Sequence, residues 1–185
     1  EAHLAQAAAA IESAGHAGRV KLALRPRGHF VPGEAGYRLP GVVEPLPSEE
    51  MRDYWAALGE RLPLWELAAP LAPTDAEGWG ELAERLQSRV RLAGDTSLGG
   101  LPGLPWQDAW LFPHHFGTVT DLLEQGQRLR EAGVGVLLAA APGETEDDAF
   151  ADLAVAMAAR QVIPGPLRGA EHLCKINRFL ALEGK

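Results

Sequence analysis

One cysteine, Cys174, stands in 185 residues, which rules out an internal disulfide and a zinc cluster built from cysteines. Its ordinary use is as a small buried hydrophobe, and its solitude fits a reducing compartment. Basic residues are also scarce: 17 Lys and Arg against 25 Asp and Glu leave a net charge of -8 and a pI near 5.2. Without a basic stripe, a sequence-independent nucleic-acid surface and an anionic-membrane surface are both excluded, so small ligands and proteins remain as partners. No apolar run reaches the roughly 18 residues that a membrane-spanning helix needs. The run Ala7 to Ala10 lacks the basic flank and the apolar core of a signal peptide, so a soluble, cytoplasmic protein is expected. No serine, histidine and acid arrangement, phosphate-cradling glycine loop or dinucleotide fingerprint can be read. The first residue is Glu1 rather than Met, which suggests a processed chain or a fragment.

What is present is the composition of one globular domain, 46% hydrophobic and 23% charged, expected to run over residues 1–185. An Ala-rich helix is expected from Ala2 to Ala14, with Leu4, Ala8 and Ile11 on one face and Gly15 as its stop. Val20 to Leu24 reads as a strand. Arg25 to Pro47 is dense in Pro and Gly and reads as a long excursion with a short hairpin around Tyr37. Ser48, Glu49 and Glu50 form a helix start in which the hydroxyl can accept an early amide, followed by a stripe of Met51, Trp55, Leu58 and Leu62. Strands then read at Leu64 to Leu67, Val90 to Ala93, Ala109 to Phe112, Val134 to Ala139 and Gln161 to Ile163. Helices lie between them: Glu77 to Leu86, one opened by Thr118 and Asp121, one capped by Thr145 with Asp148, and a last one from Ala170 to Leu182. Short apolar strands alternating with helices imply parallel pairing with both sheet faces covered, hence an α/β fold.

Several segments carry a family resemblance. Gly143-Glu144-Thr145-Glu146-Asp147, continued by Ala151-Asp152-Leu153-Ala154-Val155, is similar to the stretch after the seventh barrel strand of enolases. Phe116-Gly117-Thr118-Val119-Thr120 resembles the start of a barrel helix in that family, and Ala170 to Asn177 resembles a segment near its C-terminus. Ala69-Pro70-Leu71, Asp75, Glu77-Gly78-Trp79 and Gly94-Asp95 match further elements in order and spacing. The resemblance implies a partial enolase-type TIM barrel, made of about the last six strands with their helices, without the N-terminal capping domain. It implies in turn a protein partner or a missing chain segment that completes the barrel, in an enolase-type dimer or a larger assembly. The interval from Asp95 to Phe112 is shorter than in the family and holds Gly99, Gly100, Pro102, Gly103 and Pro105, so the helix there is expected to be lost or reduced to a turn.

Enolases dehydrate 2-phosphoglycerate to phosphoenolpyruvate, which needs carboxylates for magnesium, a lysine base, a second lysine near the enolate and cations for phosphate. Carried over by resemblance, the metal-binding carboxylates fall on Arg25, on Ala68 and Ala69, and on Asp95, whose neighbour is Thr96. Asp95 is therefore the one vestigial metal ligand, a poor basis for octahedral magnesium. The base falls on Phe112, the second lysine on Ile163, and the phosphate and substrate contacts on Ala140, Ala141 and Pro142. Loss of a general base alone costs about 10² to 10⁴ in rate.

The expectation drawn from these replacements is a pseudoenzyme: a catalytically inactive enolase-like domain with a structural or protein-interaction role, needing no cofactor beyond magnesium if activity survives. The family adds dimerisation and, for some enolase-like relatives, a flagellar association. Two alternatives stand beside it. One is a lyase with relocated groups drawn from His114, His115, Asp95 or Arg25; the other is a small-anion binder using Arg25 and Arg27. His114 and His115 are poor joint metal ligands if the segment is extended, because neighbours then point to opposite faces. Of the five tryptophans, core candidates in general, Trp106 and Trp110 flank the Gly/Pro segment and are the expected interface anchors.

Overall fold

The computed structural model describes residues 2–26, 36–39, 41–87, 89–98, 104–141 and 143–184. The chain divides into two compact units, one comprising Glu1–Gly94 with Gly100–Trp106, the other Asp95–Gly99 with Gln107–Lys185. No helix among the described residues is long and apolar enough to cross a membrane.

In the first unit, β1 (Leu22–Leu24), β2 (Leu64–Ala68) and β3 (Arg91–Asp95, its last residue counted with the second unit) pair in parallel, β1 with β2 and β2 with β3. The helices are α1 (Ala2–Ser13), α2 (Ser48–Arg61) and α3 (Ala76–Leu86). Met51, Trp55 and Leu58 of α2 are buried as the expected stripe implies, while Leu62 lies at the cap beyond the helix; Trp79, Leu82 and Leu86 of α3 are buried at helical spacing too. The hairpin expected around Tyr37 is a single antiparallel bridge to Leu46, closed by hydrogen bonds of 2.8 and 2.7 Å.

The start of α2 differs from expectation. The Ser48 hydroxyl does not cap the helix, because Pro47 holds the cap position and Ser48 is already its first residue; the hydroxyl donates to Asp75 Oδ2 at 2.5 Å and accepts from Arg52 at 2.9 Å. Asp75 is the cap of α3, accepting from Gly78 N at 3.0 Å, and it also accepts from Tyr37 Oη at 2.7 Å. A β-carbon at residue 78 would come within 2.6 Å of Asp75 Oδ1, so glycine is required for this cap to close.

In the second unit, β4 (Asp108–Leu111), β5 (Gly135–Ala139) and β6 (Gln161–Ile163) are parallel, β4 with β5 and β5 with β6, and α4 (Val119–Glu131), α5 (Ala149–Ala156) and α6 (Ala170–Leu182) accompany them. Every residue of β4 is buried, as are Val136 to Ala139 of β5, the continuous apolar pattern of strands covered on both faces. Thr118 caps α4 as expected, accepting from Asp121 N at 3.1 Å. α5 starts later than the Thr145–Asp148 pair implies, and Asp147 serves its first turn by accepting from Ala149 N at 2.9 Å. Two charge pairs fasten the unit. Arg178 of α6 grips Asp152 of α5 through two hydrogen bonds of 2.9 and 2.7 Å, and Arg160 reaches the buried Asp108 at 2.8 Å.

The α/β architecture with parallel strands is therefore the one expected. Between β3 and β4 the described residues show one 3-10 turn, Thr96–Leu98, and residues 99–103 lie outside those described.

Candidate active site

In barrels of parallel strands the chemistry sits at the C-terminal strand ends, where loops can be varied without disturbing the core. Several of the residues singled out from sequence stand there. In the first unit, half-buried Arg25 follows β1, and Ala68, wholly buried, ends β2. Ala69 follows with φ +48°, a left-handed conformation that a non-glycine residue rarely takes, and its amide donates to Ala93 O at 2.8 Å. Arg27 lies outside the described residues.

In the second unit Asp95 ends β3 and is buried, with Oδ1 accepting from Ser97 N at 2.9 Å and from Ser97 Oγ at 2.5 Å. The next side chain, Thr96, donates to Trp110 O at 2.8 Å and so helps to hold β4. Phe112 follows β4 and is buried. Half-buried Ala140 follows β5 and donates to Ile163 O at 2.9 Å; Ala141 donates to Glu144 Oε1 at 2.7 Å. Ile163 ends β6, partly exposed, and Pro142 lies outside the described residues.

The histidine pair is arranged differently from the extended segment expected. Pro113 begins a 3-10 turn over Pro113–His115, which brings the two imidazoles to 4.1 Å between centroids instead of opposite faces. Both pack on the Phe112 ring, at 6.0 and 5.4 Å. Partial burial holds the His114 imidazole below its ordinary pKa; His115 adds to this, and the Glu144 carboxylate opposes both.

Glu144 is the residue that the sequence reading passed over, having treated its loop as helix-capping chemistry. Its Oε2 lies 3.2 Å from the ammonium of Lys175, which is wholly buried on α6. A buried lysine within a helix looks, in sequence, like any solvated one.

Trp106 and Trp110, expected to anchor a partner, are instead buried. Trp106 lies on Trp79 at 5.7 Å, inside the first unit. The tryptophan that is exposed is Trp65 at the start of β2, with the Lys21 and Arg91 cations 5.1 and 5.9 Å from its ring centre.

The alternating parallel strands, with candidate residues gathered at their C-terminal ends, define a protein of the TIM-barrel class. The family model for the C-terminal TIM barrel domain of enolase matches residues 1–99 and 111–185, and the chain belongs to the enolase family.

That membership corrects the expectation of a pseudoenzyme. The family is one of enzymes, carbon–oxygen lyases, and its model matches this chain on both sides of residues 100–110. Phe112, Ile163, Ala140, Ala141 and Ala68 carry no group that moves a proton, which limits what these five side chains can do and does not show that activity is lost. The magnesium that the family uses does not fit this donor set: among the described residues no three His, Cys, Asp or Glu side chains converge on one point, and Asp95 is alone in keeping a carboxylate.

Proposed function

We propose that this chain serves an enolase-type carbon–oxygen lyase in which the proton-transfer group has moved from the Phe112 position to the His114–His115 turn directly after it. The observation that carries this reading is the placement of two exposed, mutually packed imidazoles one turn beyond the strand end at which the family keeps its base. A general base must be unprotonated at the working pH, and the downward pull on His114 favours the neutral imidazole. Phe112 beneath the pair supplies an apolar wall that limits water around the proton being moved.

The test is formation of phosphoenolpyruvate from 2-phosphoglycerate by the purified full-length protein, with the His114→Ala, His115→Ala double variant purified identically as a control for host enolase. His114→Ala is expected to lower kcat by about 10² or more, with His115→Ala less affected. Turnover indifferent to both histidines, or none from the unaltered protein, removes the reading.

A second reading, a structural role in a larger assembly, is favoured by what stays uncovered. None of the residues of α1 is buried, although it carries Leu4 and Ile11. At and beyond β6, Ile163, Leu167, Leu173 and Leu180 are 46, 78, 42 and 49% exposed. We propose that further parallel strands of an enolase-type barrel, from a second chain or from the same protein, cover this region; a barrel of this class has about eight strands. A photo-crosslinking residue at Leu167 should attach to such a segment, and recovery of uncrosslinked monomer alone would overturn the proposal.

A further inference from the structure

Lys175 presents three ammonium hydrogens and meets three acceptors. Thr145 O lies at 2.8 Å, Glu171 O at 2.7 Å and Glu144 Oε2 at 3.2 Å, so the donors of a wholly buried side chain are all used. Two of these acceptors, Thr145 and Glu144, belong to the loop between β5 and α5; the third is on α6 itself. Glu144 then uses Oε1 to accept from Ala141 N at 2.7 Å. One continuous path thus runs from the interior of α6, through a carboxylate, to the backbone at the C-terminal end of β5.

We propose that Lys175 is a positioning residue, whose fixed ammonium seats the Glu144 carboxylate against the Ala141 amide beyond β5 and balances its charge. This rests on the lyase reading above only for its consequence in turnover; the electrostatic part stands apart from it. The charges acting on His114 are His115 on its own turn and Glu144 from the loop after β5, and Glu144 in turn faces Lys175. Removing the ammonium leaves the carboxylate uncompensated near an imidazole, which favours the imidazolium. Removing the carboxylate does the reverse. Removing both restores the balance of charge.

The experiment is an NMR titration of the His114 ring in the full-length protein and in Lys175→Met, Glu144→Gln and the double variant. The midpoint is expected to rise by a few tenths of a unit in Lys175→Met, to fall in Glu144→Gln, and to return toward the original in the double variant. A purely structural lysine would not give this reversal. If Lys175→Met does not fold, the fall in Glu144→Gln together with loss of protection of the Ala141 amide in hydrogen exchange decides the matter. An unchanged His114 midpoint in Glu144→Gln overturns the proposal. Midpoints that move as expected in a protein showing no turnover would sink the lyase reading and leave the strut standing.

Discussion

Gly94 lies against the indole of Trp106: a β-carbon built there would come within 2.0 Å of Cε3 and 2.2 Å of Cζ3. The ring is itself held against Trp79 and cannot swing away without opening the packing around α3.

Gly94→Ala is therefore expected to destabilise the protein by about 1 to 3 kcal/mol, the range for overpacking a filled core. Urea denaturation followed by tryptophan fluorescence would show it as a lowered midpoint at unchanged slope. A midpoint equal to the unaltered protein's would mean that Trp106 has room the structure does not show.

Asp75 ties three segments together, accepting from Gly78 N, Tyr37 Oη and Ser48 Oγ. Tyr37 is 4% exposed, and its phenol is pushed well above the ordinary range by burial and then by its bond to Asp75, so it remains a donor at any physiological pH. Asp75→Ala removes a helix cap and leaves a buried hydroxyl short of its acceptor, for a loss of about 2 to 4 kcal/mol. Asp75→Asn, which keeps a cap oxygen, should lose about half as much. Equal losses from the two would locate the effect in the charge and not in the hydrogen bonds.

Magnesium offers a contrast with the family. A ligand that binds the folded state raises the melting temperature by mass action, and here no group of three donors is assembled among the described residues. Millimolar magnesium should leave the melting temperature where it was. A saturable rise that is lost in Asp95→Ala would show a site that the described residues do not form.

The elements with one simple determinant were legible in the sequence. α6 spans Ala170–Leu182 as read, because Gly169, at φ +82°, stops the preceding chain and a periodic run follows. α4 follows its Thr118 cap for the same kind of reason. The strand ends that carry the candidate residues were legible, and the geometry of the histidine pair was not. Strand ends can be counted along a sequence, whereas the turn at Pro113 that joins the two imidazoles depends on a local conformation that a following histidine pair does not announce. Lys175 was missed outright: its ammonium is held by the Thr145 carbonyl and the Glu144 carboxylate, both remote in sequence, and helical periodicity carries no trace of them. Capping of α5 was misplaced because Thr145, Asp147 and Asp148 are all competent caps, and tertiary contacts choose among them.

His114 also gives the protein a pH dependence whose sign follows from the direction of its shift. Burial, then His115, hold its folded pKa below the ordinary 6.5. The unfolded chain consequently takes up the proton first as pH falls, and stability rises with pH wherever the unfolded state binds more protons. This contribution is absent well above 6.5, appears as a loss of stability as pH falls through and just below that value, and becomes constant once the folded imidazole is protonated too. The ring is largely exposed, so solvent screens the effect and a small slope is expected. Denaturation midpoints of the protein and of His114→Gln, compared from neutral to mildly acidic pH, should converge above 6.5. Below it the unaltered protein should lose stability more steeply. A variant that loses stability faster than its parent would mean that the folded state favours the imidazolium, with the Glu144 carboxylate prevailing over burial, and His114 would then be charged too readily to serve as a base at neutral pH.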